Sequence, residues 1–132
     1  MLFVVVDSNV YVSALVFGGT PAPILQLGMA GAFQLVVSET IQAEVEETLI
    51  RKFRWEADRV AEVSSELWRN AQRVNPTEPV KASRDPDDDH VLACAIEAHA
   101  PLILTGDRDL LALHPFRDVE ILSPADFFAR LH

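Results

Sequence analysis

Acidic side chains follow two of the apolar runs in the sequence. Asp7 ends the run from Leu2 to Val6, and Asp107 follows the run from Leu102 to Thr105 after one glycine. Short apolar runs rich in β-branched residues are typical of strands that are buried on both faces of a parallel sheet. The carboxyl ends of such strands share one edge of the sheet, where ligands bind at the switch in strand order. We therefore expect Asp7 and Asp107 to face one cleft.

A third group of acids opens a predicted helix. Asp85, Asp87, Asp88 and Asp89 lie within five residues of one another, directly before an apolar helical pattern. The helix macrodipole favours acids in a first helical turn, which accounts for the first three of them without any site. Asp89 lies deeper in the predicted helix and is less well explained in this way. The cluster could therefore bring a third carboxylate to the cleft.

A fourth acid comes from the predicted helix in the middle of the chain, but the spacing does not identify it. Glu44 and Glu46 both lie at the margins of the apolar face formed by Ile41, Val45 and Leu49. Either glutamate is therefore a candidate on spacing alone, and a solvated acidic helix face is the ordinary alternative for both.

Converging carboxylates repel one another unless a cation lies between them. Mg²⁺ and Mn²⁺ are hard cations that take oxygen ligands, and Mg²⁺ is commonly held by only a few carboxylates. Such a site can activate a water molecule and stabilise charge on a phosphodiester. The acids therefore indicate metal-dependent phosphodiester hydrolysis.

The elements that must position these acids alternate between strands and helices. Such alternation predicts an α/β fold with a central parallel sheet of four to five strands flanked by helices. The length of 132 residues predicts a single domain over 1–132. We place strands at 2–6, 33–37, 102–105 and 119–122, and helices at 8–15, 22–30, 38–53, 56–72, 85–98 and from 124 onward, with a loop over 75–84.

The composition narrows the class of protein further. There are 11 basic and 20 acidic residues, a formal net charge of −9, so nonspecific binding of nucleic acid through a basic face is not expected. No apolar run reaches the roughly 18 residues of a membrane span, and the N-terminus lacks the basic region of a signal peptide. A single cysteine, Cys94, agrees with a reducing compartment. We expect a cytoplasmic protein with no membrane association.

Four segments in order resemble the PIN-domain nucleases, and the length resembles the VapC-like toxins of bacterial toxin–antitoxin systems. The resemblance covers nearly the whole chain. The segments that carry it are Asp7-Ser8-Asn9-Val10, Ser38 through Glu44-Val45, Asp85-Pro86-Asp87-Asp88-Asp89 and Thr105-Gly106-Asp107-Arg108-Asp109-Leu110-Leu111.

The resemblance implies a ribonuclease in which a quartet of acids binds Mg²⁺ or Mn²⁺. Carried over by position, the quartet is Asp7, Glu44, Asp89 and Asp107, with Asp109 as an auxiliary metal ligand. Glu44 is selected because the family glutamate precedes an apolar residue. The same resemblance makes Ser8, Asn9 and Thr105 polar supports that orient the carboxylates.

The resemblance also implies partners: an RNA substrate, a separate antitoxin protein and a second copy of the chain in a homodimer. Arg51, Lys52 and Arg54 form a basic segment that could contact RNA phosphates, although an ordinary solvated turn explains it equally simply. Two other functions remain open. One is a noncatalytic RNA-binding or scaffold domain, and the other is a receiver-type phosphoacceptor domain, for which no lysine is suitably placed.

Overall fold

The five strands form one parallel sheet. In the computed structural model, which describes residues 1–131, the strand order is β3-β2-β1-β4-β5 and every neighbouring pair is parallel. Val5 of the central strand pairs with Val36 on one side and Ile103 on the other. The predicted α/β class is thus confirmed. The strands are β1 (Phe3–Val6), β2 (Gln34–Val37), β3 (Gln72–Arg73), β4 (Leu102–Leu104) and β5 (Glu120–Leu122).

Seven α-helices accompany the sheet within residues 1–131, and α3 and α4 pack against each other. The apolar spacing in α3 buries Ile41, Val45 and Leu49. No single helix in this part of the chain is long and apolar enough to span a membrane. Helices α1 and α2 together are long and apolar enough, but the chain bends by 107° between them. The helices are α1 (Ser8–Val16), α2 (Pro21–Met29), α3 (Glu39–Arg51), α4 (Ala57–Trp68), α5 (Asp89–Ala98), α6 (Arg108–Leu111) and α7 (Pro124–Leu131).

Two elements differ from the sequence prediction. β3 lies where the sequence predicts the end of a helix. The sequence pattern misses this strand because its two residues are polar and exposed and carry no apolar strand signal. The acidic segment does not open α5 directly: Pro86–Asp88 forms a 3-10 turn, and α5 begins at Asp89. The Asp85 side chain caps this turn by accepting a hydrogen bond from the Asp87 N–H.

The strand order reverses between β1 and β4. From β1 the chain moves outward to β2 and β3, then returns to β4 on the other side and continues to β5. In an open parallel sheet, ligands bind at this switch point, beyond the carboxyl ends of the strands. This order differs from the 2-1-3-4-5 order of flavodoxin-like folds, and neither β4 nor β5 contains a lysine. The receiver-type interpretation is therefore wrong.

Candidate metal centre

Asp7 is buried at the carboxyl end of β1. Its side chain is 5% exposed and its carboxylate accepts hydrogen bonds from three donors: the Ser8 N–H at 2.8 Å, the Asn9 amide at 3.0 Å and the Thr105 hydroxyl at 2.7 Å. Burial raises the pKa of Asp7, although the hydrogen bonds from Thr105 and Ser8 oppose that shift. Asp7 therefore caps α1 and also lies at the carboxyl end of β1, beside the switch point.

Two hydrogen-bonded bridges join the end of β1 to the turn after β4. The Thr105 hydroxyl donates to Asp7 and accepts from the Asp107 N–H at 3.0 Å. The Asn9 side chain donates to Asp7 and accepts from the Gly106 N–H at 3.1 Å. Asn9 and Thr105 thus lie where supports of the carboxylates would lie, whereas Ser8 contacts Asp7 through its backbone N–H.

Three further carboxylates converge beside this network. One oxygen each from Asp88, Asp107 and Asp109 lies within 4.8 Å of the other two. The Asp107 Oδ1 also accepts the Asp109 N–H at 2.8 Å, which starts α6. The strand ends, the 3-10 turn and the first turn of α6 therefore together deliver a cluster of oxygen ligands, which we call the acid cluster.

The acid cluster has the properties of a site for a hard divalent cation. The Asp88 Oδ2 is buried and has no hydrogen-bond donor within residues 1–131. Burial, the adjacent Asp107 carboxylate and the charges of Asp7 and Asp85 raise the pKa of Asp88 to about 7. The charged form of Asp88 is therefore disfavoured at this position in the absence of a cation. A divalent cation would neutralise the same oxygens, and carboxylate oxygens are the ligands that Mg²⁺ and Mn²⁺ prefer.

Asp89, which the sequence nominates for the site, makes a different contact. Its carboxylate accepts the backbone N–H groups of Ala82 at 3.1 Å and Ser83 at 2.8 Å. It is 9% exposed and is not one of the three acids whose oxygens converge. The structure thus brings Asp88 into the acid cluster and uses Asp89 to hold the end of the 75–84 loop.

Glu44 reaches the edge of the site through a histidine that the sequence analysis did not select. The Glu44 Oε2 lies 3.1 Å from the His90 Nε2, and the charge of Glu44 contributes to the raised pKa of Asp7. Burial disfavours the charged form of His90, but the Glu44 hydrogen bond and the charges of Glu44, Asp7 and Asp88 raise its pKa overall. No local signal points to this pair, because its members are 46 positions apart in the chain.

Glu46, the alternative to Glu44, is directed elsewhere. Its Oε2 accepts hydrogen bonds from the Trp68 indole at 3.4 Å and the Gln42 amide at 3.3 Å. The Trp68 contact ties α3 to α4. The structure thus places Glu44 against His90 of α5 and Glu46 against Trp68 of α4.

The basic segment lies away from the acid cluster. Phe53, within this segment, packs edge-on against Phe17 at the end of α1, with ring centroids 5.7 Å apart. Asp7 lies at the start of that nine-residue helix, which is about 13 Å long at 1.5 Å per residue. Arg51 pairs with Glu47 at 3.3 Å and Lys52 lies over the Phe53 ring. The structure thus does not bring Arg51, Lys52 and Arg54 to the acid cluster.

The chain resembles known proteins in sequence and in fold. A family model described as PIN domain matches residues 3–109. An uncharacterized protein from Methanocaldococcus jannaschii is 30% identical over 115 residues, which cover 83% of this chain and 74% of that relative.

Two solved structures have a similar fold. The structure of VapBC2 from Rickettsia felis, bound to a DNA fragment from its promoter, has a TM-score of 0.65 at 10% identity and covers 92% of this chain and 98% of that one. VapC20 from Mycobacterium tuberculosis, described as a sarcin–ricin loop cleaving toxin, has a TM-score of 0.61 at 14% identity, covering 89% and 98%. At these identities the likeness concerns the fold alone.

Proposed function

The chain belongs to the PIN-domain family, and we propose from this premise that it is a metal-dependent ribonuclease that hydrolyses RNA phosphodiester bonds in the cytoplasm. The observation that carries the proposal is the acid cluster at the switch point of the sheet, with Asp88, Asp107 and Asp109 within 4.8 Å and Asp7 beside them. A noncatalytic scaffold has no use for mutually repelling acids at this position, which argues against that alternative.

We assign the cation to Asp88, Asp107 and Asp109, with Asp7 and Glu44 at its margin. This set keeps four of the five acids that the sequence nominates and replaces Asp89 by Asp88. A bound Mg²⁺ or Mn²⁺ supplies an activated water molecule and stabilises charge on the phosphodiester. Asn9 and Thr105 orient the Asp7 carboxylate, and His90 holds Glu44.

We further propose that the protein is the toxin of a toxin–antitoxin pair and that it forms a homodimer. The resemblance in fold to VapBC2 and VapC20, over 92% and 89% of the chain, supports the toxin role. The homodimer is what membership of the family implies. Co-purification with the product of the neighbouring open reading frame tests for the antitoxin, and the molar mass in solution tests for the dimer.

The nuclease proposal is tested by cleavage of a mixed RNA with Mg²⁺, with Mn²⁺ and with EDTA. We expect cleavage only with a cation, and expect Asp107→Asn to lose nearly all of it, because this change removes a charged ligand. Asp87→Asn is the matched control, because Asp87 is an exposed aspartate beside the site that is not among the converging acids. Equal cleavage with and without EDTA, or equal losses in both variants, would contradict the proposed site.

A further inference from the structure

A groove opens directly beside the Asp107 carboxylate. It has a volume of about 470 Å³, within the range of roughly 300–1,000 Å³ found for small-ligand sites. The starts of α1, α2 and α7 and the turn after β4 form its walls. The residues that line it include Val10, Ser13, Pro21, Gly106, Asp107 and Pro124.

The lining of this groove is uncharged except for Asp107. Val10, Pro21 and Pro124 contribute apolar side chains, and Ser13 contributes a hydroxyl group. The Asn9 amide, which also borders the groove, is already bonded at both ends to Asp7 and Gly106. No lysine, arginine or histidine is among the lining residues in the described part of the chain. A phosphate would meet only the negative charge of Asp107 there, whereas a neutral group could enter without electrostatic cost.

A second groove, on the other side of the acid cluster, is lined by charges of both signs. Its volume is about 530 Å³ and its lining includes Thr40 together with Lys81, His90, Glu78 and Asp89. Thr40 follows β2 and Lys81 follows β3, whereas Gly106 and Pro124 of the first groove follow β4 and β5. Since the strand order is β3-β2-β1-β4-β5, the two grooves flank the switch point along the sheet edge. A polynucleotide crossing this edge would meet charges of both signs on one side, Lys81 and His90 among them, and on the other side a groove whose single charged residue is Asp107.

We propose that the uncharged groove receives one unpaired nucleobase of the nucleotide next to the phosphodiester held at the acid cluster. This inference rests on the proposed function, because it takes RNA as the substrate. A nucleobase is neutral and planar, and its edges can accept and donate hydrogen bonds. A base must leave its stack to enter a side groove, and unpaired bases are the ones that proteins usually bind in this way. The groove therefore requires an unpaired base beside the cleaved bond.

The experiment uses a short mixed-sequence RNA whose cleaved bond has been mapped, and two copies of it with one abasic ribonucleotide on either side of that bond. We expect wild type with Mn²⁺ to cleave one abasic copy about tenfold more slowly than the parent RNA, the loss of one base contact. In Ser13→Phe the new ring fills the groove. This variant should cleave the parent RNA about tenfold more slowly than wild type does, and should no longer distinguish it from that abasic copy.

Ser65→Phe is the matched control, because Ser65 is an exposed serine on α4, outside this groove. It should cleave all three RNAs as wild type does. The shift in melting temperature on adding Mn²⁺ should be the same in wild type and in both variants, because none of the acids is altered.

Two results would overturn the subsite while leaving the nuclease proposal intact. One is equal cleavage of the parent RNA and both abasic copies by wild type, which needs no variant to fold. The other is a Ser13→Phe protein that still distinguishes the abasic copy. Absence of cleavage by wild type with either cation would instead overturn the proposed function, and the subsite with it.

Discussion

At the scale of single residues, two adjacent aspartates make different contacts. Asp88 ends the 3-10 turn and has a carboxylate oxygen in the acid cluster, whereas Asp89 begins α5 and binds two backbone N–H groups of the 75–84 loop. Neighbouring residues near a helix start point in directions about 100° apart. One position in the sequence therefore decides between a candidate metal ligand and a structural anchor.

This difference predicts opposite effects of two matched substitutions. Asp89→Ala leaves the N–H groups of Ala82 and Ser83 unsatisfied, so we expect it to lower the free energy of unfolding by about 1–3 kcal/mol and to keep the Mn²⁺-induced rise in melting temperature. Asp88→Ala should lose that rise without lowering the stability of the metal-free protein at pH 8. Thermal melts with EDTA and with Mn²⁺ measure both quantities. If a folded Asp89→Ala protein lost the response to Mn²⁺, Asp89 would be the ligand, as the sequence alone suggests.

At the scale of elements, a single hydroxyl links the ends of two central strands. Thr105, at the end of β4, is fully buried and joins the Asp107 N–H to the Asp7 carboxylate. β1 and β4 are already paired through their backbones. The hydroxyl therefore adds little to the sheet itself, but it fixes the carboxylate of one strand relative to the turn after the other.

Thr105→Val should accordingly weaken the site and the fold together. Valine keeps the shape of threonine, but it leaves the Asp107 N–H and one lone pair of Asp7 unsatisfied in a buried place, which costs about 1–3 kcal/mol of unfolding free energy. Cleavage of RNA should also fall, because Asp7 loses one of its three donors. Thr20→Val is the control, since Thr20 is exposed and makes no side-chain cap bond, and we expect it to change stability by no more than about 0.5 kcal/mol. Denaturant unfolding of the two variants measures the difference, and equal stability would show that the hydroxyl has no such role.

At the scale of the whole molecule, the acids at the switch point repel one another, and this repulsion depends on pH and on whether a metal ion is bound. The pKa of Asp88 is raised to about 7 and that of Asp7 is raised in the same direction. The folded protein therefore binds more protons than the unfolded chain at pH values between the ordinary carboxyl pKa near 4 and about 7. Stability must fall as pH rises through that interval.

We therefore predict that, in EDTA, the free energy of unfolding decreases between pH 5 and 8, and that it decreases less in Asp88→Asn, which carries no titrating group there. Saturating Mn²⁺ should stabilise wild type at pH 8 by RT ln(1 + [L]/Kd), about 2.7 kcal/mol at a hundredfold excess over Kd. Chemical unfolding at several pH values, with and without Mn²⁺, measures both effects. A stability that rises with pH in EDTA would contradict the raised pKa values.

The family, the α/β class and the central strands follow from the sequence, because buried apolar runs and the acids after them are local patterns. Asp7, Asn9, Thr105 and Asp107 lie next to those runs, so their proximity could be inferred from the rule that parallel strands end at one edge. Glu44 was selected over Glu46 only by the resemblance; in the structure Glu46 bonds to Trp68 and Glu44 contacts His90.

Other features depend on contacts between distant segments, which local patterns do not contain. β3 has two polar residues and exists through its pairing with β2. The contact between His90 and Glu44 joins α5 to α3 across 46 positions. Whether Asp88 or Asp89 enters the acid cluster depends on where the 3-10 turn ends and where α5 begins, and on the loop N–H groups that occupy Asp89. The sequence alone thus determined which kinds of ligand gather at the sheet edge. Only the tertiary structure decided which carboxylate points toward the acid cluster, because the direction of a side chain is set by packing between elements.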